Sequence, residues 1–209
     1  MLRNLRPALV LVVLFTAVTG LAFPLGFVAV GHALLPFQSG GSLIERGGKV
    51  VGSAVVGQSF SSDRYFASRP SATSDADPKD PTKTVPSPDN AQASAGSNLA
   101  PTSKTLVDRV TADAGKMGPG PVPSDAVTTS ASGLDPHVTP ANAERQVARV
   151  AAARKLPEDQ VRGLLAEHTA GRFLGFIGEP RVNVLALNIA LDNAGTTGGK
   201  AENGNQVSR

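Results

Sequence analysis

The sequence predicts an α+β protein: one N-terminal transmembrane helix followed by a single mixed α/β extracytoplasmic domain with a disordered loop and tail. Three observations predict it. After Arg6 no Asp, Glu, Lys or Arg occurs until Glu45, and Ala8 to Leu35 is almost entirely apolar. A bilayer core about 30 Å thick needs roughly 20 such residues in a helix rising about 1.5 Å each, so this run is long enough to span once. Beyond it, segments with helical spacing and caps alternate with short β-branched runs. Two stretches, 73–90 and 193–209, are too polar and too rich in Pro, Gly, Asp and Ser to bury a face.

The organisation follows: a transmembrane helix in residues 1–35, with about 8–32 spanning, an extracytoplasmic domain over 36–192, and a disordered tail over 193–209. Arg3, Arg6 and the N-terminal amine precede the span without an acidic neighbour. Basic residues beside a first span stay in the cytoplasm, so the N-terminus is expected inside and the bulk of the chain outside. A cleaved signal peptide shares the basic start, and Ala29, Gly31 and Ala33 supply small residues, but its apolar region runs only about 7–15 residues. Within the span, Thr16 and Gly20 lie four apart, near Thr19, Pro24 and Gly26. Small residues at that spacing let another membrane helix approach closely, whereas a plain anchor needs no such spacing.

Without Arg3 and Arg6 the 20 basic residues fall to 18 against 17 acidic ones, so the pI of 9.5 says little about partners. Lys and Arg are scattered among Asp and Glu rather than gathered on one face, and no nucleic-acid partner is expected. The chain has no cysteine. Disulfides, thiolate metal sites and a lipid-modified cysteine are therefore excluded, and anchoring falls to the span.

In the outer domain, glycines 47, 48, 52 and 57 punctuate a β-branched segment, Lys49 to Val56, that suits a strand or tight hairpin. Residues 73–90 read as a low-complexity loop or insertion. Thr102 is placed to cap a core helix burying Leu106, Val107, Val110 and Ala114, ended by Gly115 and Gly118. Ala126 to Ser130 is short and β-prone, a further strand. The clearest helix has Thr139 as N-cap, Pro140 at the first helical position and a stripe of Ala143, Val147, Val150 and Ala151. Another opens at Pro157 with Glu158 and Asp159 in its first turn and buries Val161, Leu164 and Leu165. Val182 to Leu191 is apolar at nearly every position, and Asn183 as cap tips it toward a helix.

No phosphate-cradling loop, His-Glu-x-x-His zinc motif or nucleophile elbow occurs, and His32, His137 and His168 lie far apart. No independent catalytic site or metal site is expected. Three clusters remain: Gly96 to Leu99, Ser132 to His137 and Gly178 to Asn183. Each suits turn chemistry, since Asn and Asp bond their own backbone and Gly supplies positive φ. The functional alternative is a docking surface on rigid loops, with Asn98, Asp135, Arg181 and Asn183 of these clusters, Arg69 outside them, and Thr16 and Gly20 of the span as docking candidates.

In order, Arg6-Pro7-Ala8-Leu9, Thr19-Gly20, Phe23-Pro24, Gly57-Gln58-Ser59-Phe60, Arg69-Pro70-Ser71-Ala72, Gly96-Ser97-Asn98-Leu99, Ser132 to His137, Gln146 to Ala151 and Gly178 to Val184 resemble one family. It is the C subunit of the potassium-transporting Kdp P-type ATPase, and the match runs nearly end to end. Departures fall at Asp89, where the family favours an aromatic residue, and at Ala95, where it favours glycine. The resemblance implies an accessory, non-catalytic subunit of an ATP-driven potassium uptake pump in the cell's inner membrane. Its partners would be a channel-like A subunit, an ATP-hydrolysing B subunit, a small F subunit and the bilayer. It further implies a catalytic chaperone that raises the ATP affinity of the hydrolysing subunit, with ATP touched by a glutamine of the long helix, here Gln146. Two readings of Gln146 stay open: an amide bonding nucleotide, or one bonding a neighbouring loop. The charge bias of the span puts residue 146 outside, away from cytoplasmic ATP, and favours the second. A free-standing, membrane-anchored solute-binding or hydrolase domain is the alternative function.

Overall fold

The computed structural model describes residues 2–202, with side chains over 3–195. The chain divides into two compact units, one ending at Ser53 and the other beginning at Ala54. The first unit is dominated by α1 (Leu5–Ala17) and α2 (Phe23–Leu34), joined by a π-helical turn over Val18–Ala22. Together they make one apolar helix of 30 residues, Leu5–Leu34, with none of its apolar window buried inside the chain. At 1.5 Å per residue it is about 45 Å long, enough to cross a bilayer with tilt.

The π turn has a local cause. Pro24 lacks an N–H, and its ring crowds the carbonyl four residues back, that of Gly20, inside the turn. Widening the helix there relieves the crowding, and Thr19 Oγ1 donates to the Phe15 carbonyl at 2.6 Å on the same stretch. A short α3 (Pro36–Ser39) follows, then an antiparallel hairpin of β1 (Leu43–Arg46) and β2 (Lys49–Ser53). Gly47 and Gly48 form its two-residue turn at φ 58° and 75°, the conformation that most side chains resist.

The second unit starts with an irregular segment and a hairpin, β3 (Ser74–Asp77) with β4 (Asp80–Pro86). This corrects the expectation of a disordered loop over 73–90. The segment has too little apolar surface to bury, but its order comes from elsewhere. Asp77 Oδ1 accepts the Lys79 N–H at 2.8 Å in the turn, while buried Thr73 receives Ser87 N–H on its carbonyl and donates its hydroxyl to the Ser87 carbonyl at 2.6 Å. Asn90 closes the base through its Nδ2 to the Ser74 carbonyl at 3.0 Å.

The core is built on a three-stranded antiparallel sheet ordered β5 (His137–Val138), β7 (Arg181–Asn183), β6 (Thr169–Ala170). Against it lie α5 (Pro140–Arg154) and α7 (Val184–Glu202), and α6 (Glu158–Glu167) packs on both of these helices. Thr139 caps α5, accepting the Asn142 N–H at 3.2 Å, and the stripe Ala143, Val147, Val150 and Ala151 is buried as its spacing requires. Val161 and Leu165 join it from α6, and Val184, Leu187 and Leu191 from α7. Pro157 sits at the N-cap of α6, one position before the expected one. Asn183 caps α7, accepting the Ala186 N–H at 3.0 Å. The backbone of α7 continues past Asn193 to Glu202; the remainder of the expected tail, 203–209, lies outside the described residues.

Two further expectations are overturned. α4 (Lys104–Lys116), with Ser103 and not Thr102 at its N-cap position, buries no residue, and Val107 is 54% exposed, so it is a surface helix rather than a core one. Residues 126–130 form no strand but follow a 3₁₀ turn over Ser124–Ala126. Asp125 explains it: its carboxylate accepts Thr139 N–H at 2.7 Å, Thr139 Oγ1–H at 2.9 Å and Asn142 Nδ2–H at 3.1 Å, which pins the turn at the positive end of α5.

Gly133 marks the tightest approach in the unit. It holds φ +67°, and a Cβ there would lie 2.5 Å from the Ala95 carbonyl oxygen and 2.7 Å from Thr73 Cγ2. Gly133→Ala is expected to destabilise the domain by about 2–4 kcal/mol, the sum of left-handed strain and overpacking, read from denaturant midpoints of the full chain in detergent.

Candidate functional site

Residues 60–71 run without a strand partner beside α5 and α7, yet Phe66 is fully buried in the core. Buried backbone groups without partners are costly, and here two side-chain amides supply them. Asn188 of α7 accepts the Phe66 N–H at 2.8 Å and donates to the Phe66 carbonyl at 3.0 Å. Gln146 of α5 does the same for Ala67, accepting its N–H at 2.7 Å and donating to its carbonyl at 3.2 Å. Each amide stands in for one rung of a β-ladder.

Gln146 has no hydrogen-bonding capacity left over. Its Oε1 also accepts Arg149 Nη2–H at 2.9 Å, and its Nε2 also donates to Asn142 Oδ1 at 3.2 Å. An amide offers two lone pairs and two protons, and all four are used. Along α5 the chain of bonds runs Asp125, Asn142, Gln146, Arg149, and Arg149 continues to the carbonyls of Asp63 and Tyr65 at 2.8 and 3.0 Å. Arg154 completes the strap: it lies over the Tyr65 ring at 4.8 Å and pairs with Asp192 of α7 at 2.8 Å.

An open cleft of about 440 Å³ adjoins Gln146, bordered by Phe60, Lys116, Arg145 and Arg149. Its cations are engaged by the fold. Arg145 donates to the carbonyls of Pro121 and Met117 at 2.9 and 2.6 Å, and Lys116 pairs with Asp113 at 2.8 Å. The network holds loops onto α5.

A second cleft, about 310 Å³, brings together three residues that the sequence singled out: Arg69, Asp135 and Arg181. Arg69 Nη1 donates to Asp135 Oδ2 at 3.1 Å and Nη2 to the Thr129 carbonyl at 3.4 Å, while its buried Nε has no partner. Asp135 Oδ1 accepts the His137 N–H at 3.0 Å and lies 3.4 Å from His137 Nδ1. Bonding from the His137 side chain, then its N–H and the Arg69 charge, holds the Asp135 carboxyl below the usual range against the opposing effect of burial. Asp89 behaves oppositely: burial pushes its carboxyl up, partly offset by the Ser59 hydroxyl donating at 3.0 Å.

Asn183 points elsewhere, its Nδ2 bonding the Ala54 carbonyl at 2.9 Å, and Asn98 is exposed in an irregular segment at φ 50°. Thr16 and Gly20 lie one turn apart in the apolar helix, with a Cβ at Gly20 only 3.9 Å from Thr16 Cγ2. The sequence reading missed Asn188. Its signal was a lone amide within the otherwise apolar face Val184, Leu187, Leu191.

The family model described as "K+-transporting ATPase, c chain" matches residues 5–193. The chain belongs to the KdpC family. Proteins named potassium-transporting ATPase KdpC subunit agree with it over almost their whole length. That of Methylorubrum extorquens is 58% identical over 91% of this chain and 97% of its own. Those of Methylobacterium nodulans and Bradyrhizobium diazoefficiens are 57% and 56% identical over 92% and 93% of this chain and 98% of theirs. This KdpC chain is thus a subunit of the potassium-transporting ATPase.

Two outcomes follow from the geometry. Asn188→Ala strands the N–H and carbonyl of fully buried Phe66 and is expected to cost about 2–5 kcal/mol, more than Gln146→Ala at the half-buried Ala67, measured by urea unfolding. Asp135→Asn is expected to cost about 1–2 kcal/mol at pH 7. Because the folded carboxyl titrates below its unfolded value, that stability is present above about pH 3.8 and lost as pH falls through the folded value. The gap between wild type and variant therefore narrows below pH 3.8, checked by urea midpoints across pH 2.5–7.

Proposed function

We propose that this KdpC subunit acts as a membrane-anchored assembly and stabilising element of the pump, and that any effect on ATP affinity reaches the hydrolysing subunit through that assembly. The observation that carries the reading is the full engagement of the Gln146 network. A glutamine that spends all four hydrogen-bonding positions on Ala67, Asn142 and Arg149 serves as a positioning residue. A nucleotide would have to displace one of those bonds. In this reading the helix Leu5–Leu34 crosses the inner membrane once with its N-terminus in the cytoplasm, as Arg3 and Arg6 favour, and its sides meet lipid and the helices of partner subunits. The domain beyond it works outside, near the potassium entrance of the channel-like subunit.

Two measurements test this on the purified complex. Gln146→Ala is expected to lower the melting temperature and the yield of assembled pump while leaving the KM for ATP within about twofold, because uniform binding to nucleotide is not what the side chain supplies. A rise in KM of tenfold or more with unchanged melting establishes direct ATP contact instead. The chain has no cysteine, so Ala148→Cys on the exposed face of α5 reports topology by itself. Labelling in intact cells by an impermeant thiol reagent is expected; protection until the membrane is opened places the domain with cytoplasmic ATP.

A further inference from the structure

Between β6 and β7 the chain makes a turn with an unusual composition. Phe173 and Ile177 pair across it, each N–H reaching the other's carbonyl at 2.9 Å, and Phe176 N–H closes onto the Phe173 carbonyl at 3.3 Å. The two central residues, Leu174 and Gly175, sit at φ 53° and 84°. Turns of this hand favour Asn-Gly, because a side chain such as leucine's is strained at positive φ. The turn is stapled at its base by Arg172 to Glu179 at 2.7 Å. All four large side chains point away from the core: Phe173, Leu174, Phe176 and Ile177 are 65%, 70%, 72% and 49% exposed.

Leu174 thus combines backbone strain with exposure, and no packing within the described residues offsets either. Strain kept at a rigid, exposed position marks a site whose complement lies in another molecule. Two aromatic and two aliphatic side chains on a preorganised turn also have the composition of interface anchors. We infer that the Phe173–Ile177 tip is a docking plug that inserts into an apolar socket on the extramembrane surface of another subunit of the pump, with a carboxylate at the socket rim facing Arg181.

The choice of occupant rests on charge and area. Arg181, four residues beyond the tip, is exposed, and no ion pair or hydrogen bond within the described residues engages it. An acidic rim would complement it. The tip's base presents Arg172 paired with Glu179 rather than the uniformly basic collar of a lipid-binding loop. The four side chains supply roughly 400–500 Å² of apolar surface, about half of one partner's share in a standard interface. The neighbouring cleft of Arg69, Asp135 and Arg181 can furnish the polar remainder. The inference rests on the assembly role proposed above, and it names the surface through which that role is exercised.

The test uses the full chain, which is free of cysteine. Leu174→Cys carries an environment-sensitive fluorophore, with Lys79→Cys on the exposed hairpin turn as reference. In the assembled pump, emission at 174 is expected to shift to the blue and iodide quenching to fall several-fold, with position 79 unchanged. Quenching at 174 that is the same with and without the other subunits overturns the inference. So does quenching of the lone chain in nanodiscs by spin-labelled acyl chains, which would place the tip in lipid. Concentration-dependent protection of the lone chain, which would make a second copy the occupant, overturns it as well. In parallel, Leu174→Asn with Phe176→Ser is expected to leave the melting temperature equal or raised, since Asn relieves the turn, while weakening recovery of the other subunits by roughly 10–100-fold. If the wild-type chain itself fails to recover the pump subunits, the assembly role fails. If wild type and variant recover them equally, only the docking plug fails.

Discussion

The domain depends on a pair of side-chain amides that replace a missing β-strand. Phe66 must enter the core, yet the segment that delivers it has no sheet edge to pair with. Asn188 from α7 and Gln146 from α5 bond the backbones of two successive residues, so one extended segment is gripped from two helices at once. Arg149 and Arg154 extend the grip to Asp63, Arg64 and Tyr65, and Arg154 adds a bond to Asp192 that closes α5 onto α7. Few of these bonds would be worth much singly on a surface. Gathered around a buried phenyl ring, where an unpaired amide or carbonyl is expensive, they become mutually dependent.

That dependence bears on chemistry. Groups able to recognise an anion or a nucleotide are present near Gln146, but Arg145 and Arg149 donate to the protein's own carbonyls and Lys116 pairs with Asp113. Arginine is suited to that task because its planar fork satisfies several acceptors at once with little rotamer loss. The arrangement yields a rigid body with its polar side chains turned inward on loops. Rigidity of that kind fits the assembly role proposed above, since less entropy is lost when a preorganised surface binds.

How legible this was in the sequence varies with the range of the interactions involved. Thr139-Pro140 and the stripe through Ala151 specified α5 because cap and periodicity are local signals, and Asn183 specified the start of α7 in the same way. The long uncharged run specified the apolar helix, but not the π turn, which arises from Pro24 acting on the carbonyl four residues before it. The hairpin over 74–86 was hidden because its order is set by Thr73 and Asn90 bonding across its base, contacts that composition does not encode. Residues 126–130 looked β-prone by type, yet Asp125 draws them to the start of α5. At the candidate site, Asp135 and Arg181 were identifiable as charged residues in loop clusters, and Arg69 through the stretch Arg69 to Ala72 that resembles the family. Their meeting in one cleft, and the role of Asn188, required the tertiary fold.

The position of the apolar turn in this architecture adds a mechanical argument. β7 is the central strand of the core sheet, paired with β5 on one side and β6 on the other, and it begins three residues after the turn, beyond Gly178-Glu179-Pro180. It then passes without a loop into α7, whose Asn188 grips Phe66. A load applied at Phe173–Ile177 therefore enters the best-connected strand of the domain and arrives at the amide clamp through continuous backbone. A flexible loop would have dissipated it. Placing exposed apolar side chains at the end of that path, with Leu174 in a backbone conformation that leucine resists, joins a strained surface turn to the interior amide clamp.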